Sequence, residues 1–326
     1  MTTAEVVLGL QAGDESKAKV AHTLLKRSNT NKHDPKFHLV ARFNGGPNAG
    51  GMVVQKGKKK VLHQLPVGVL EGVPSLLGPQ CVVNPIKLLK EMEQFPDATV
   101  RVAYNACIIE PSHIEEDIAT DKIGSTSQGI RQAYRDRALK VARRAQDVPE
   151  LKSLVVDPYD ILWGSHVLLQ GAQGYDIDIN WGDYPFVTSS DCTVAGALSV
   201  GIPPQGIQAV HGAAKIYRTY SGFKEFQPAD PALAELAEFG NERGNTTGRL
   251  RQTDWLDLER LKRACRVNGV THLTISKCDV LRKVKKFKAY DGAFGLVTFR
   301  DFASLVDRIR QVIPTPSILF SSSPES

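Results

Sequence analysis

The segment that decides the fold is residues 6–19, with the sequence VVLGLQAGDESKAK. Its apolar start predicts a buried strand, and a turn follows that leads into a helix near Ser16. A helix that begins after such a strand exposes backbone N–H groups, which favour a phosphate. Lys17 adds a positive charge, and Asp14 supplies a carboxylate that can hold Mg²⁺ or accept a proton. The turn lacks the G-x-x-x-x-G-K-[ST] pattern of a P-loop, so a plain surface turn with solvated charges remains an equal alternative.

Composition and charge describe a globular protein. The chain has 326 residues, of which 42% are hydrophobic, with a mean hydropathy of −0.21 and a net charge of +6. It contains no run of 18 apolar residues, so we expect no membrane span. Basic clusters at residues 56–60 and 282–288 lack a known nucleic-acid-binding motif. We interpret them as solvated hairpin turns and do not expect nucleic acid as a partner.

The cysteines indicate a reduced protein. The five of them are widely separated, and no two form a C-x-x-C pair. An odd number at such spacing argues against a disulfide framework and against a zinc site. We therefore expect buried free thiols and a cytoplasmic location.

Apolar runs alternate with stretches of helical periodicity along the whole chain. The predicted strands are residues 6–10, 39–43, 53–54, 61–65, 76–77, 100–104, 167–169, 209–217, 273–275 and 318–320. The predicted helices are residues 16–27, 85–93, 127–145, 231–239, 256–267 and 301–312. This alternation predicts an α/β fold, with a largely parallel central sheet flanked by helices and ligands at the carboxyl ends of the strands. No linker or repeat interrupts it, so we expect residues 1–326 to form a single domain.

Six loops contain more glycine, hydroxyl and charged residues than packing requires. They are residues 42–51, 122–129, 171–174, 184–190, 245–251 and 276–279. The loop at residues 122–129 offers hydroxyl and N–H groups that could bind a phosphate. Arg249 and Arg251 suit a small dicarboxylate. Asp279 can accept hydrogen bonds from N1 and the 2-amino group of guanine while Lys277 packs on the ring. Any one loop could be a simple turn, but the six together predict a ligand site.

The strongest motifs in these regions occur in a specific order. They are QAGDESK at residues 11–17, NAG at 48–50, IGST at 123–126, GAQG at 171–174, YPFVTSS at 184–190 and TTGR at 246–249. Their order and spacing resemble the adenylosuccinate synthetase family, particularly its short archaeal form, and related phage ligases. The resemblance extends from residue 6 to about residue 324. It implies a P-loop-NTPase-like adenylosuccinate synthetase fold in one domain over residues 1–326.

The resemblance also implies a reaction. The family uses GTP to join aspartate to the 6-position of inosine monophosphate (IMP), through a 6-phosphoryl intermediate and with Mg²⁺. By resemblance, Asp14 removes the N1 proton of the purine and binds Mg²⁺ together with the carbonyl of Gly50. Lys17 contacts the transferring phosphoryl group. The expected partners are GTP, a purine nucleoside monophosphate, aspartate and a second copy of the chain.

The motifs assign further residues to each ligand by the same resemblance. GTP is expected to contact Gly13, Glu15, Ser16, Lys17, Lys277, Asp279, Ser323 and Pro324. The purine monophosphate is expected to contact Asp14, Asn48, Thr126, Lys140, Gln173, Thr188 and Arg249. The amino acid is expected to contact Thr247, Arg249 and Arg251. Lys140 falls where the family has an arginine that reaches the nucleotide of the partner subunit, which implies a homodimer.

The chain departs from the family at several of these loops. Gly51 stands where the family has a catalytic histidine, and Ser16 and Ala18 replace glycines of the phosphate loop. Loss of a general acid typically lowers a rate by roughly 10²- to 10⁴-fold. His63 could supply the missing proton, although a structural role is the simpler interpretation.

Two interpretations of function therefore remain open. The first is a GTP-dependent ligase with altered substrate or mechanism, whose acceptor could be IMP, GMP or a deoxy form. The second is a catalytically weakened homologue that binds nucleotides as a regulatory or partner-binding module. Retention of Asp14, Lys17, Arg249, Lys277 and Asp279 favours the ligase.

Overall fold

The centre of the structure is a nine-stranded sheet in which every pair of neighbouring strands is parallel. The computed structural model describes residues 1–55, 57–244 and 248–322. The strands are β1 (Thr3–Gly9), β2 (Leu39–Arg42), β3 (Gly51–Gln55), β4 (Lys58–Leu62), β5 (Ser75–Leu77), β6 (Val82–Val83), β7 (Val100–Ala103), β8 (Cys107–Ile108), β9 (Val155–Val156), β10 (His166–Gln170), β11 (Ile207–Lys215), β12 (Tyr217–Tyr220), β13 (Gln252–Asp257), β14 (His272–Ser276), β15 (Lys288–Tyr290), β16 (Leu296–Thr298) and β17 (Ser317–Phe320). The order in the central sheet is β17-β14-β11-β1-β10-β2-β5-β7-β9.

Helices cover both faces of this sheet. They are α1 (Lys17–Thr30), α2 (Pro85–Met92), α3 (Pro111–Thr120), α4 (Ile130–Leu139), α5 (Pro158–Leu162), α6 (Val194–Leu198), α7 (Pro231–Phe239), α8 (Leu258–Asn268), α9 (Cys278–Val284) and α10 (Phe302–Val312). In β1, Val6 and Leu8 belong to the core cluster that includes Leu236 of α7. Val7 belongs to the opposite cluster, which includes Leu25 of α1. A strand covered on both faces needs apolar residues at consecutive positions, which explains the run in residues 6–8. The predicted α/β fold is confirmed.

Three smaller sheets lie beside the central one among the described residues, and one of them is the parallel pair of β6 and β8. The strands β3 and β4 form an antiparallel hairpin, and β12, β13, β15 and β16 form a four-stranded sheet. Residues 57–60 of the first basic cluster lie in the hairpin, as predicted, and Lys56 lies outside the described residues. The interpretation of the second basic cluster as a hairpin turn is wrong. Residues 282–284 end helix α9, and Lys288 begins β15.

Several predicted helices have different bounds in the structure, and two of the differences have a clear physical cause. The helix predicted at residues 127–145 ends at Leu139, because Lys140 adopts a left-handed conformation with φ of 65° and turns the chain. Farther on, Arg144 forms an isolated bridge with Cys107. The helix predicted from residue 256 begins at Leu258, where the Asp257 side chain accepts a hydrogen bond from the backbone N–H of Arg260. Leu256 instead belongs to β13.

The prediction of buried free thiols is confirmed. All five cysteines are buried free thiols, and burial raises the pKa of Cys81 and Cys265 to about 12. In the part of the chain that the structure describes, no helix has the length and apolar character needed to cross a membrane.

A carboxylate at the amino-terminal half of β1 predicts how stability depends on pH. Glu5 lies 2.7 Å from Nε2 of His211 and 3.7 Å from Nε2 of His166. Burial would raise the pKa of Glu5, but the two imidazoles lower it from 4.5 to about 2. Its stabilising contribution is therefore complete above pH 4.5 and is lost as the pH falls through 2.

We expect the free energy of unfolding to fall between pH 4.5 and pH 2 more steeply in the native protein than in Glu5→Gln. A shift of this size corresponds to about 3 kcal/mol, which solvent around this partly exposed group reduces to roughly 1–2 kcal/mol. Urea titrations across this pH range measure the difference. Parallel pH profiles of the two proteins would contradict the assignment.

Candidate active site

One cavity of about 780 Å³ lies at the carboxyl ends of β1, β2, β10, β11 and β14. This is the edge where ligands bind in parallel α/β sheets. Most residues predicted for the three ligands line it. They are Gly13, Asp14, Ser16, Lys17, Asn48, Gly50, Thr126, Gln173, Thr188, Arg251 and Lys277. Residues that are up to 264 positions apart in the sequence therefore meet in one place, although their contacts with ligands remain predictions.

The turn after β1 is a tightly bent loop. Gly13, Asp14 and Ser16 all have positive φ, of 97°, 61° and 69°. The buried carboxylate of Glu15 holds this loop, because Oε1 accepts hydrogen bonds from the N–H groups of Gln11 at 3.1 Å and Gly13 at 2.7 Å. Its other oxygen pairs with Lys17. The side chain of Glu15 lies beneath the loop, and Glu15 does not line the cavity, so its contact with GTP stays a prediction.

Helix α1 starts directly after this loop. Its N-cap, Ser16, is left-handed, and the Ser16 side chain does not cap the helix. The first N–H groups of α1 therefore lack the usual side-chain acceptor and face the end of the loop. This arrangement agrees with the strand, turn and helix predicted for residues 6–19 and is the geometry that suits a phosphate.

Asp14 and Gly50 provide the oxygen atoms predicted for magnesium. Both residues line the cavity, and the Asp14 side chain is 31% exposed. Mg²⁺ in phosphate sites takes one or two carboxylates and keeps water and phosphate oxygens as its other ligands. The residues present fit that requirement. Within residues 1–55, 57–244 and 248–322, no three His, Cys, Asp or Glu side chains cluster as metal ligands.

Arg251 is already engaged by two carboxylates. Its Nη2 lies 2.7 Å from Oδ2 of Asp14, and its Nη1 lies 2.6 Å from Oε2 of Glu242. The predicted role of Arg251 in binding an amino-acid carboxylate therefore requires it to release or share one of these partners. Thr247, predicted for the same ligand, lies outside the described residues.

Lys215 and Glu242 were missed by the sequence analysis. Nζ of Lys215 lies 2.8 Å from Oε2 of Glu242, and both side chains are buried. Burial lowers the pKa of Lys215. Burial would raise the pKa of Glu242, but Lys215 and Arg251 lower it to about 2. One sequence signal could have indicated this pair. Lys215 ends the apolar run of β11, and a lysine buried at such a position needs a partner of opposite charge.

The loop at residues 122–129 differs from the predicted phosphate cradle. The N–H groups of Ile123, Gly124 and Ser125 all donate to Oδ1 of Asp121, at 3.1, 2.9 and 2.9 Å. The N–H of Gly129 donates to Asp117. Side chains of the protein use these N–H donors in this structure, and binding of a phosphate by this loop stays a prediction. The hydroxyl-bearing Thr126 still lines the cavity.

Besides Glu15, three predicted residues in the described part of the chain do not line the cavity. Arg249 donates hydrogen bonds to the carbonyls of Gly124 at 2.9 Å and Ser221 at 3.1 Å, and so supports the cavity wall. Asp279 lies in the first turn of α9, close enough to raise the pKa of Lys19, which burial lowers. Lys140 is exposed at the end of α4. Ser323 and Pro324 lie outside the described residues.

Position 51 is closely packed against the start of helix α1. A Cβ atom built on Gly51 would lie 2.9 Å from Cβ of Ala18, which is shorter than real contacts of this kind. His63 is occupied elsewhere, because its Nδ1 lies 2.7 Å from the carbonyl oxygen of Ala49 and its N–H donates to Glu91. His63 is not part of the described cavity lining, and these contacts favour its structural interpretation.

A parallel sheet with a cavity lined by apolar and polar groups at its carboxyl edge is typical of α/β proteins that bind small molecules. Residues 6–157 and 149–292 match the model of the adenylosuccinate synthetase family. The adenylosuccinate synthetase of Cytophaga hutchinsonii is 35% identical over 87% of this chain and 79% of its own length. That of Deinococcus radiodurans is 32% identical over 98% of this chain and 96% of its own. The chain belongs to the adenylosuccinate synthetase family.

Two solved structures have the same fold. The fully ligated adenylosuccinate synthetase of Plasmodium falciparum superposes with a TM-score of 0.86 at 23% identity, covering 100% of this chain and 98% of its own. The succinoaminodeoxyadenylate synthetase of cyanophage S-2L, bound to dGMP and dATP, superposes with a TM-score of 0.78 at 21% identity. This match covers 100% of this chain and 94% of the cyanophage chain. Both confirm the fold that the resemblance implied.

Proposed function

We propose that this protein is a GTP-dependent ligase that joins aspartate to the 6-position of a purine nucleoside monophosphate, either IMP or GMP and its deoxy form. One observation carries the proposal: a single cavity brings Asp14 and Lys17, at the start of a helix, together with the residues assigned to the purine. Membership of the family supports the reaction class. We further propose that the chain forms one domain and acts in the cytoplasm.

The chemistry divides into two steps. Asp14 accepts the N1 proton of the purine, O6 attacks the γ-phosphorus of GTP, and the bond to GDP breaks. The amine of aspartate then attacks C6, releases phosphate and gives up a proton. Lys17 stabilises the transferring phosphoryl group by its charge. Magnesium held by Asp14 and Gly50 would neutralise phosphate charge. Thr126, Gln173 and Thr188 hold the nucleotide.

We also propose a homodimer in which Lys140 reaches the nucleotide of the partner subunit. Lys140 is exposed, and its neighbours Leu139 and Val141 are 63% and 68% exposed. These two exposed apolar side chains beside Lys140 support the proposal that a partner covers this surface.

A second candidate function rests on Gly51. Without a side chain at this position the site lacks the acid found in the family, which favours a homologue that binds nucleotides without fast turnover. Purified protein is incubated with GTP, Mg²⁺, aspartate and IMP, GMP or dGMP, and GDP and coupled products are followed by mass. Coupled product supports the ligase. Tight nucleotide binding without any product supports the regulatory module.

Nucleotide choice gives a separate prediction. Guanine offers N1–H and a 2-amino group to a carboxylate, whereas adenine offers neither, so GTP should be preferred over ATP. Asp279→Asn should lower that preference by roughly 10- to 100-fold, since a hydrogen bond to a charged group contributes about 1.5–3 kcal/mol. The ratio of kcat/KM for GTP and ATP measures this.

The matched control is Asp307→Asn on the exposed side of α10, which should leave the ratio unchanged. Equal use of ATP and GTP by the native protein would show that Lys277 and Asp279 do not read the base.

A further inference from the structure

A row of charged side chains leads from the cavity into the protein core. Asp14 pairs with Nη2 of Arg251, and Nη1 of Arg251 pairs with Oε2 of Glu242. The same Oε2 lies 2.8 Å from Nζ of Lys215. Oε1 of Glu242 accepts a hydrogen bond from the hydroxyl of Tyr217 at 2.7 Å. The four charges alternate in sign and sum to zero.

Burial increases sharply after Asp14, the first member of this row. The exposed fraction of the side chain is 31% for Asp14, 7% for Arg251 and 0% for Glu242, and Lys215 at the end is 2% exposed. An ion pair is stronger away from water, and removal of one partner leaves a buried charge without compensation. The inner end is therefore rigidly fixed, and the outer end meets the ligand cavity.

Arg251 depends on Glu242 for its position. The Nε atom of Arg251 is buried and has no hydrogen-bond partner among the described residues. Its orientation is therefore set by its two Nη contacts, one of which is with the half-buried and tightly bent Asp14 loop. The other contact, with Glu242, is the one anchored in the core by Lys215 and Tyr217.

We propose that Glu242 and Lys215 are positioning residues that act on Asp14 through Arg251. The inference rests on the proposed function, in which Asp14 takes the N1 proton. The fixed guanidinium holds one carboxylate oxygen of Asp14, so that the other faces the cavity in a constant direction. A proton acceptor must be held close to its productive geometry, because a displacement of about 1 Å can lower a rate by roughly 100-fold.

The test compares Glu242→Gln with Glu5→Gln. Both substitutions remove a carboxylate whose pKa is lowered to about 2, but Glu5 lies at the opposite end of β1, outside the cavity lining. We expect Glu242→Gln to lower kcat by roughly 10- to 100-fold with KM for GTP nearly unchanged, and Glu5→Gln to stay within about twofold of the native kcat. A native kcat in folded Glu242→Gln would overturn the proposal.

Tyr217→Phe provides a second test of the positioning role if Glu242→Gln does not fold. It removes only the hydroxyl that donates to Oε1 and leaves every charge in place. We expect kcat to fall by roughly 3- to 10-fold, because loss of the hydrogen bond from Tyr217 loosens the side chain of Glu242. An unchanged kcat in this variant, at a melting temperature close to the native one, would also overturn the proposal.

A measurement without turnover separates this inference from the proposed function. In nitrogen-15-labelled protein, the Nη resonances of Arg251, assigned with Arg251→Lys, should show restricted rotation. Restriction should persist in Glu5→Gln and disappear in Glu242→Gln. Freely rotating Nη groups in the native protein would overturn the positioning role even where product forms. Restricted groups in a protein that makes no product would leave the row of contacts intact and reject the ligase reaction.

Discussion

Asp14→Asn is expected to abolish formation of the coupled product while the protein remains folded. The amide cannot accept the N1 proton and is a weak magnesium ligand, so kcat should fall by at least roughly 10²- to 10⁴-fold. Asparagine is the appropriate substitution because Asp14 has φ of 61°, a conformation that asparagine tolerates and alanine does not. Product mass and thermal unfolding, measured on the same preparation, test both parts.

Asp14→Ala provides the comparison. It should lose turnover to the same extent and melt at a lower temperature, since a left-handed alanine costs about 1–2 kcal/mol. Retention of native turnover in either variant would reject Asp14 as the proton acceptor.

Restoring a side chain at position 51 should raise turnover only when Ala18 is also changed. Gly51→His alone would bring a Cβ atom to 2.9 Å from the methyl group of Ala18. We therefore expect Gly51→His to be destabilised and no faster than the native protein. The double variant Ala18→Gly, Gly51→His has room for the Cβ atom, and a general acid there would raise kcat by up to roughly 10²- to 10⁴-fold.

Two controls separate the steric effect from the chemical one. Ala18→Gly alone should leave turnover near the native level. Gly51→Ala adds the Cβ atom without the imidazole, so it should lower the melting temperature, and Ala18→Gly should restore it. Fast turnover of the native protein with GTP, IMP and aspartate would show that its proton comes from another group. A double variant no faster than the native protein would reject position 51 as the missing acid.

The sequence alone was sufficient to predict those parts of the structure that depend on residues close together in the chain. The apolar run of β1 and the turn before α1 lie within residues 6–19, and both formed as predicted because burial on two faces needs such a run. The parallel sheet also followed from the alternation of strands and helices. Helix bounds were less certain, since the left-handed Lys140 ended a helix that the periodicity continued.

The sequence alone was not sufficient to predict contacts between residues that lie far apart in the chain. Glu242 lies 27 positions from Lys215 and far from Asp14, so no local pattern joins them. Asp121 uses N–H groups that looked available for phosphate, because only the folded loop shows where its carboxylate points. The contact between positions 18 and 51 depends on how the hairpin packs on α1, which spacing alone does not reveal.

The contact between Ala18 and Gly51 has a consequence for the history of this chain. A methyl group at 18 and any side chain at 51 need the same space. If the chain descends from a form with glycine at 18 and histidine at 51, the side chain at 51 had to be lost before the methyl group could be accommodated. The second substitution then closed the route back, because a single reversion at 51 would now be unfavourable. On that history, loss of the histidine would be a step that later packing made difficult to reverse.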